Sequence, residues 1–521
     1  MKKRYADLQA AFDGFQAGTV SAEALKPVAA PYGIYQQRNG SFMVRVRING
    51  GEIACEQLVG LAGFLDATAG SHAHLTSRQD LQLHDIPADR VMDAVRASDR
   101  LGLPFRGGGG NTYRNTLVGT DSGLSPEAVF DVYPYAQALH RAMLRVEKAF
   151  ALPRKLKIGF FASEGDRLRA SIQDLGFLAQ VRAGERGFTV YAAGGMGREG
   201  AVGIKLFDFL PAAQIVHVAV ALTELFYDHG DRANRSQARL RFLLKKSGPE
   251  AFLRLYLDYF ARTRAPAVKL GTDDPWAERV RNLKRGGASL PSEGFAAWER
   301  IAVAPTRFGE DVKSVRLFVP YGNLTANQLR TVAVLAAEYG SQTLRMLPAQ
   351  DLLLPVVHRS ALSELYGRLL RELADIDLTF ASYKGHITTC VGASVCKIGM
   401  VDTSVLADRL AAAFDRYLPA DTPEKAALLK GVVDGLRISG CPNACSGHLA
   451  ARIGVGCINQ KVDGEVRPFA RVLTGAGVTD GVPHLSSADE ADVPLAFDKA
   501  IPAILQACLT SNCIPNGGVI N

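Results

Sequence analysis

GEIACEQL, residues 51–58, returns as GNLTANQL at residues 322–329, an offset of 271 (322 less 51). At that same offset SRQDLQL (77–83) falls on PAQDLLL (348–354), and VRVRI (44–48) falls on VRLFV (315–319). Several stretches at one offset mark a duplication. Each copy reads strand, turn, helix, turn, strand. VRVRI and VRLFV are β-branched and alternating, and QDLQL and QDLLL alternate again. A glycine-led turn precedes a helix that carries Leu58 or Leu329. One α+β unit is used twice.

A second echo lies further along each copy. KLKIGF (155–160) resembles GLRISG (435–440), an offset of 280 (435 less 155). Leu175-Gly176 then falls on Val455-Gly456. The expected architecture is therefore two similar halves related by an approximate two-fold axis. On this alignment Arg78 has Ala349 as its counterpart and Lys157 has Arg437. Phe161 and Gly165 fall on Cys441 and Cys445. The first half holds cationic groups and the second holds thiols, so a site between the halves would see both. The stretch 262–294, rich in Pro, Gly and charge, reads as a surface connection.

Bulk properties narrow the class. A chain of 521 residues with 47% hydrophobic and 21% charged residues is an ordinary globular sequence of two to four domains. No apolar run approaches the roughly 18–20 residues that cross a bilayer. The start, MKKRYADLQAAFDGFQ, has no apolar core and does not read as a secretory signal. The net charge of +8 fits nucleic acid, an anionic substrate or an acidic protein. No helix-turn-helix, zinc-finger or ribonucleoprotein pattern supports nucleic acid. Cytoplasmic location, no membrane partner and a monomer are expected.

Eight cysteines are too few for a disulfide scaffold of this length, and four of them pair up. ITTCVGASVCKIG gives Cys390 and Cys396; ISGCPNACSGH gives Cys441 and Cys445. Four thiolates meet the count for a cubane iron–sulfur cluster. Structural zinc is the alternative, but its ligand pairs have two to four intervening residues, and the five between Cys390 and Cys396 fit poorly. Pro442 suits the first turn of a helix, which would place Cys441 and Cys445 at its N-terminus. Cys55, Cys457, Cys508 and Cys513 read as bystanders, mostly buried.

Three other features have a mainly structural reading. Gly195-x-Gly197-x-x-Gly200 mimics a dinucleotide fingerprint but lacks the acidic residue about 20 positions on; the next stretch, AVGIKLFDFLP (201–211), reads as strand. GDRANRSQARLRFLLKK (230–246) reads as a basic amphipathic helix that could dock an acidic electron donor. Leu406, Leu410, Phe414 and Leu418 recur every four residues, as in a packed helix.

The pattern C-x5-C followed by GCPN-x-C-x-G resembles the nitrite/sulfite reductase family, and the likeness runs from about residue 30 to 460. It implies a [4Fe–4S] cluster on Cys390, Cys396, Cys441 and Cys445, with Asn443 among the cofactor-binding residues. It implies sirohaem with Cys445 as the shared axial thiolate. The family's substrate cations fall on Arg45 (VRVRINGG), Arg114 (GGNTYRN), and Lys155 and Lys157 (LPRKLK). Its sirohaem-lining stretch falls on HLTSRQDLQLH, supplying Thr76, Arg78, Gln82 and His84, with Arg154 beside them. Sirohaem carries eight carboxylates, so paired cations have an electrostatic role. Two departures stand out. His74 replaces an Arg of many sulfite-type members, and the CVGASVCKIG loop resembles nicotinamide-dependent nitrite reductases.

The resemblance implies a six-electron reduction of sulfite to sulfide, with nitrite to ammonia as the alternative. Lys157 favours sulfite, because plant-type nitrite enzymes usually carry Asn there. A non-enzymatic metal-binding scaffold is the rival class. Nothing reads as a flavin or nicotinamide domain, so electrons are expected from a separate acidic donor such as ferredoxin. The expected parts are a 1–39 N-terminal arm, a joined ferredoxin-like repeat pair (40–107 and 311–377), a sirohaem-binding domain (108–310) and a cluster and sirohaem domain (378–521).

Overall fold

The structure, a computed structural model, describes residues 5–103, 105–268, 270–271, 274–287, 292–379, 382–417, 433, 435–486 and 493–510. They fall into two compact units. One holds residues up to 195 together with 201–276 and 325–330; the other holds 196–200, 277–324 and 331 onward. Among the described residues no helix is long and apolar enough to cross a membrane.

The duplication appears as two copies of one antiparallel pattern. In the first, Ile34–Gln36, Phe42–Val46, Leu81–Ile86 and Ala73–Leu75 lie side by side in that order. In the second, Val303–Thr306, Gly309–Leu317, Leu352–His358 and Thr343–Met346 repeat the order. The helices Cys55–Ala67 and Val91–Arg100 recur as Ala326–Tyr339 and Leu362–Glu372. Cys55 to Ala326 and Val91 to Leu362 both keep the offset of 271. Even the strained positions repeat: Gly50 and Tyr321 have φ of 65° and 52°, and Gln79 and Gln350 have 60° and 71°.

Each copy leads into a sheet that begins parallel and ends antiparallel. The first runs Leu117–Val118, Ile158–Phe161, Leu175–Arg182, Glu185–Ala192 and Ile204–Pro211. The second runs Thr388–Thr389, Leu436–Ser439, Ile453–Val462, Glu465–Thr474 and Leu495–Ala496. Phe160, Phe177 and Phe188 pack the first core, with the Phe160 and Phe177 rings stacked at 4.5 Å. Leu406, Leu410 and Phe414 of the helix Thr403–Tyr417 fill the second, as their spacing indicated; Leu418 lies outside the described residues. Burying each such side chain is worth about 1.5–3 kcal/mol.

Strand register corrects the second echo. Leu117 pairs with Gly159 and Thr388 with Arg437; Ile158 pairs with Leu175 and Leu436 with Ile453. The offset is thus 278 (436 less 158), not 280. A two-residue slip keeps every side chain on its own face, so a pattern of alternation cannot detect it. Glycines settle it independently: a Cβ on Gly176 would strike the Ala170 carbonyl, and one on Gly454 would strike that of His448. The counterparts of Cys441 and Cys445 are therefore Ser163 and Arg167, and that of Arg437 is Gly159.

Other expectations shift more locally. The basic stretch 230–246 is helical only from Leu240, in Leu240–Ser247, and Arg239 and Arg241 are buried. Arg239 is drawn inward by the buried carboxylate of Asp174, 2.9 Å away. The connection 262–294 is not wholly superficial. Trp276, 1% exposed, begins the short helix Trp276–Arg281 and donates its indole N–H to Asp131 at 3.2 Å. Lys284 binds Glu338 and Glu364. After Gly200 the chain forms the strand Ile204–Pro211, as its composition indicated.

Candidate functional site

The first unit gathers the cations by register. Tyr113 bridges Leu156 in parallel, and both are buried. Side chains alternate along extended chain, so Arg114 shares the opposite face with Lys155 and Lys157. The Arg114 amide donates to the Leu156 carbonyl at 2.8 Å, and the Lys157 amide to Asp174 Oδ2 at 2.8 Å. Arg45 pairs with Gln82, which pairs with His74, so these three form one row across the first sheet. Turned to face Arg45, the Gln82 amide oxygen accepts from Arg45 Nε at 3.2 Å and Nη2 at 2.8 Å, while its nitrogen meets His84 Nε2 at 3.0 Å.

The glycine run 107–110 forms the floor. Arg45 Nη1 donates to the Gly108 carbonyl at 2.8 Å, and Arg114 Nη2 to that of Gly110 at 2.9 Å. Side chains cannot replace these glycines. A Cβ on Gly107 would strike Arg47 Nη1 and one on Gly109 the Tyr35 hydroxyl, and Gly107 has φ of 90°.

The remaining expected residues have varied placements. Arg78 donates to Gln173 Oε1 at 3.0 Å and to the Ile158 carbonyl at 2.7 Å. The Thr76 hydroxyl accepts the Asp80 amide at 2.9 Å, a turn-forming role. His84 is buried and stacks on His72 at 4.6 Å. Burial and the neighbouring His74 and His72 hold it well below the usual imidazole range, hence neutral. Arg154 reaches Asn111 at 3.4 Å.

The charge balance is one-sided. Burial lowers Arg78 to about 10 and Arg114 to about 10. Burial raises Asp80 to about 6, although Arg45, Arg47 and Arg78 all pull it down. Four guanidiniums thus surround one carboxylate. Nε of Arg78 and of Arg114 is buried with no hydrogen-bond partner in the protein. Buried cations in such excess call for an anion, which suits a polycarboxylate such as sirohaem and an oxyanion substrate.

The second unit gathers the thiols. Cys390 follows the strand Thr388–Thr389, and Cys396 ends the short helix Gly392–Val395. Cys441 and Cys445 follow the strand Leu436–Ser439. Cys390 lies in electrostatic reach of Cys445 and Cys441, and Cys441 in reach of Cys445 and Cys396. Burial first, then the Cys445 charge, pushes Cys390 up to about 11. A thiolate set that repels itself is stabilised by a bound metal cluster. Among the described residues no three His, Cys, Asp or Glu side chains converge as ligands of one ion do; the cysteines of a cubane stand apart at its corners.

No α-helix starts at Pro442. Ala444 has φ of 52°, which ends helical geometry, and the segment is a turn. Hydrogen bonds to sulfur replace the expected dipole: the Gly440 amide donates to Cys390 Sγ at 3.3 Å and Asn443 Nδ2 to Cys441 Sγ at 3.5 Å. Arg437 clamps the turn through the Ser446 carbonyl at 2.8 Å. Cys441 is buried, Cys390 and Cys396 are half-buried and Cys445 is exposed. Cys55, Cys457 and Cys508 are buried, as expected; Cys513 lies outside the described residues.

Two residues escaped the sequence reading. Arg47, 0% exposed, lies over the Tyr113 ring at 4.4 Å and donates to the Arg106 and Arg114 carbonyls at 3.0 and 2.8 Å. It holds the backbone from which Arg114 projects. Tyr35 accepts the Gly110 amide at 2.9 Å, with the Arg45 guanidinium 6.0 Å from its ring centre. The Asn39-Gly40 turn was the available signal, since it pairs Tyr35 with Met43 and brings it near Arg45.

Comparisons with known proteins agree with this fold. Residues 109–263 match the nitrite and sulphite reductase 4Fe-4S domain. Residues 35–100 and 307–372 match the nitrite/sulfite reductase ferredoxin-like half domain, once in each copy. The four cysteines lie outside the matched stretches. A chloroplastic ferredoxin–nitrite reductase of Zea mays is 26% identical over 89% of this chain and 78% of its own. A sulfite reductase [ferredoxin] 2 of Mycolicibacterium paratuberculosis is 27% identical over 80% and 69%. The solved structure of Mycobacterium tuberculosis NirA protein shares the fold, with a TM-score of 0.75 and 22% identity over 96% of this chain and 90% of that one.

Proposed function

The chain belongs to the nitrite and sulphite reductase family, and from that premise we propose that it reduces sulfite to sulfide by six electrons. The observation that carries the choice of anion is the Tyr113–Leu156 bridge, whose alternation puts Arg114, Lys155 and Lys157 on one face, with Arg45 as a fourth cation. Four positive groups match the double charge of sulfite better than the single charge of nitrite. Nitrite is the second reading, supported by the likeness to the Zea mays nitrite reductase.

Cys390, Cys396, Cys441 and Cys445 would hold the [4Fe–4S] cluster, and Arg78, Gln82, His84, Arg154, Thr76 and Asn443 are proposed cofactor contacts. When bound, cluster and sirohaem would supply electrons singly and an iron for the anion, and Cys445 would be among the residues that hold them. Arg45 and Arg114 would orient the anion and offset its charge. Lys155 and Lys157 would do the same and hold transferable protons on Nζ. The donor is proposed to be an acidic ferredoxin, in line with the relatives' names and the net charge of +8.

The test is kcat/KM for each anion with a reduced donor. Sulfite should be favoured about tenfold or more. A tenfold preference for nitrite would reverse the choice of anion, and inertness toward both would remove the reductase reading.

A further inference from the structure

We propose that Tyr35 is a proton relay to the anion held by Arg45 and Arg114, an inference that rests on those arginines binding substrate. Tyr35 sits in the strand Ile34–Gln36, fixed against the strand Phe42–Val46 through its pairing with Met43. Its phenol oxygen accepts the Gly110 amide at 2.9 Å, which orients the ring. A phenol that accepts one hydrogen bond keeps its own hydrogen for another partner. Gly109 leaves the hydroxyl its space, because a Cβ there would strike it.

The charged groups around the phenol are of one sign. Arg45 comes from the neighbouring strand, Arg114 from beyond the glycine floor, and Arg154 from the segment before Ile158. Burial alone would raise the phenol, but Arg114, Arg45 and the Gly110 amide together hold it below its ordinary value. This placement fills a gap in the chemistry. A guanidinium is suited to offsetting charge through its fork of donors rather than to general acid catalysis. The phenol between Arg45 and Arg114 can act as an acid.

The step balances simply. As an S–O or N–O bond of the anion breaks, the departing oxygen takes the phenol hydrogen and, with a second proton, leaves as water. The phenolate is held by the two arginines until solvent returns a proton. Electrons come from the reduced protein donor, and only the O–H bond of the tyrosine breaks and reforms.

Tyr35→Phe in the holoenzyme should lower kcat about 100-fold or more while KM changes little. Loss of an acid removes the fall in kcat at high pH, so that alkaline limb should move or vanish. Placing 3-fluorotyrosine at position 35 keeps the shape and makes the phenol more acidic, so the limb should shift to lower pH. A readout free of turnover is carbon NMR of ring-labelled tyrosine. The resonance missing from Tyr35→Phe should titrate below the other tyrosines, and sulfite without reductant should raise it by offsetting the arginines. An unchanged kcat and pH profile, a rise in KM alone, or a limb indifferent to fluorine would overturn the relay. If Tyr35→Phe fails to fold, the fluorotyrosine enzyme decides. Wild-type enzyme inert toward both anions would instead break the reading beneath the proposal.

Discussion

At one point of the duplicated sheet the first copy carries Ser163 to Arg167 and the second carries Cys441 to Cys445. The strands beneath are the same, and so are the glycines that let the next segment cross them. The first copy closes the space with itself. Arg167 pairs with Glu164 and donates to the Tyr191 hydroxyl, and it begins the helix Arg167–Ser171. Phe161, Ala170 and Leu178 pack beneath it. The second copy keeps the turn irregular and aims sulfur from it. The mirror case lies earlier in each copy. Arg45 corresponds to Arg316 and Arg47 to Phe318 at the offset of 271. Arg316 is spent on the buried Asp351 at 2.6 Å, whereas Arg45 reaches Gly108 and Gln82. Arg114 corresponds to Gly385, where a Cβ would crowd Phe318. Equivalent places in the two copies are therefore filled by different chemistry, a salt bridge or a packed helix in one and a cation or thiols in the other.

The sharpest break of that contrast is at the thiols. Cys445→Ser should cut iron and acid-labile sulfide in the purified protein about tenfold or more, whereas Arg167→Ala at the matching place should leave both unchanged. Equal iron content in the two variants would mean that Cys445 holds no cluster. Arg45 and Arg316 come next. Arg45→Met should lower kcat/KM about 10²–10³-fold with little change in unfolding midpoint. Arg316→Met should do the reverse, costing about 3 kcal/mol because it leaves the buried Asp351 charge without its cation, with the Val319 amide still donating to it. Denaturant titration beside kinetics separates the two.

A pH effect of intermediate size belongs to Asp80. Burial raises its folded value from 3.8 to about 6, so the fold prefers the neutral acid. That stabilisation is fully present below about pH 4 and is lost as pH rises through about 6. Relative to Asp80→Asn, the wild type should lose about 2–3 kcal/mol across that window in cofactor-free protein. A flat difference between pH 4 and 7 would count against it. The smallest effect is the stability cost of Arg167→Ala, expected below about 1 kcal/mol because Glu164 is exposed.

Much of this was legible in the chain. An offset of 271 located both copies because alternation and glycine turns leave a pattern in sequence. The four cysteines were visible by type and spacing, and the four cations through the family resemblance of the stretches around them. The offset of 280 was wrong by two residues, since alternation is blind to an even slip. The helix at Pro442 failed because a single left-handed residue, Ala444, redirects the backbone without any glycine to announce it. Tyr35 and Arg47 were hidden for another reason. Their partners lie 75 and 67 residues away, at Gly110 and Arg114, and only tertiary register brings them together.

Gln79 and Gln350 have a wider consequence. The Gln79 amide accepts from the Val118 N–H at 2.9 Å and donates to the Val118 carbonyl at 3.0 Å; Gln350 accepts from the Thr389 N–H at 2.9 Å. Each side chain impersonates a peptide group beside an edge strand only two residues long. Such a strand could otherwise slide by two residues at little hydrophobic cost. Arg114 lies four residues before one clamp and Cys390 one residue after the other. The glutamines act as rulers: they set the zero from which the positions of Arg114 and Cys390 are measured.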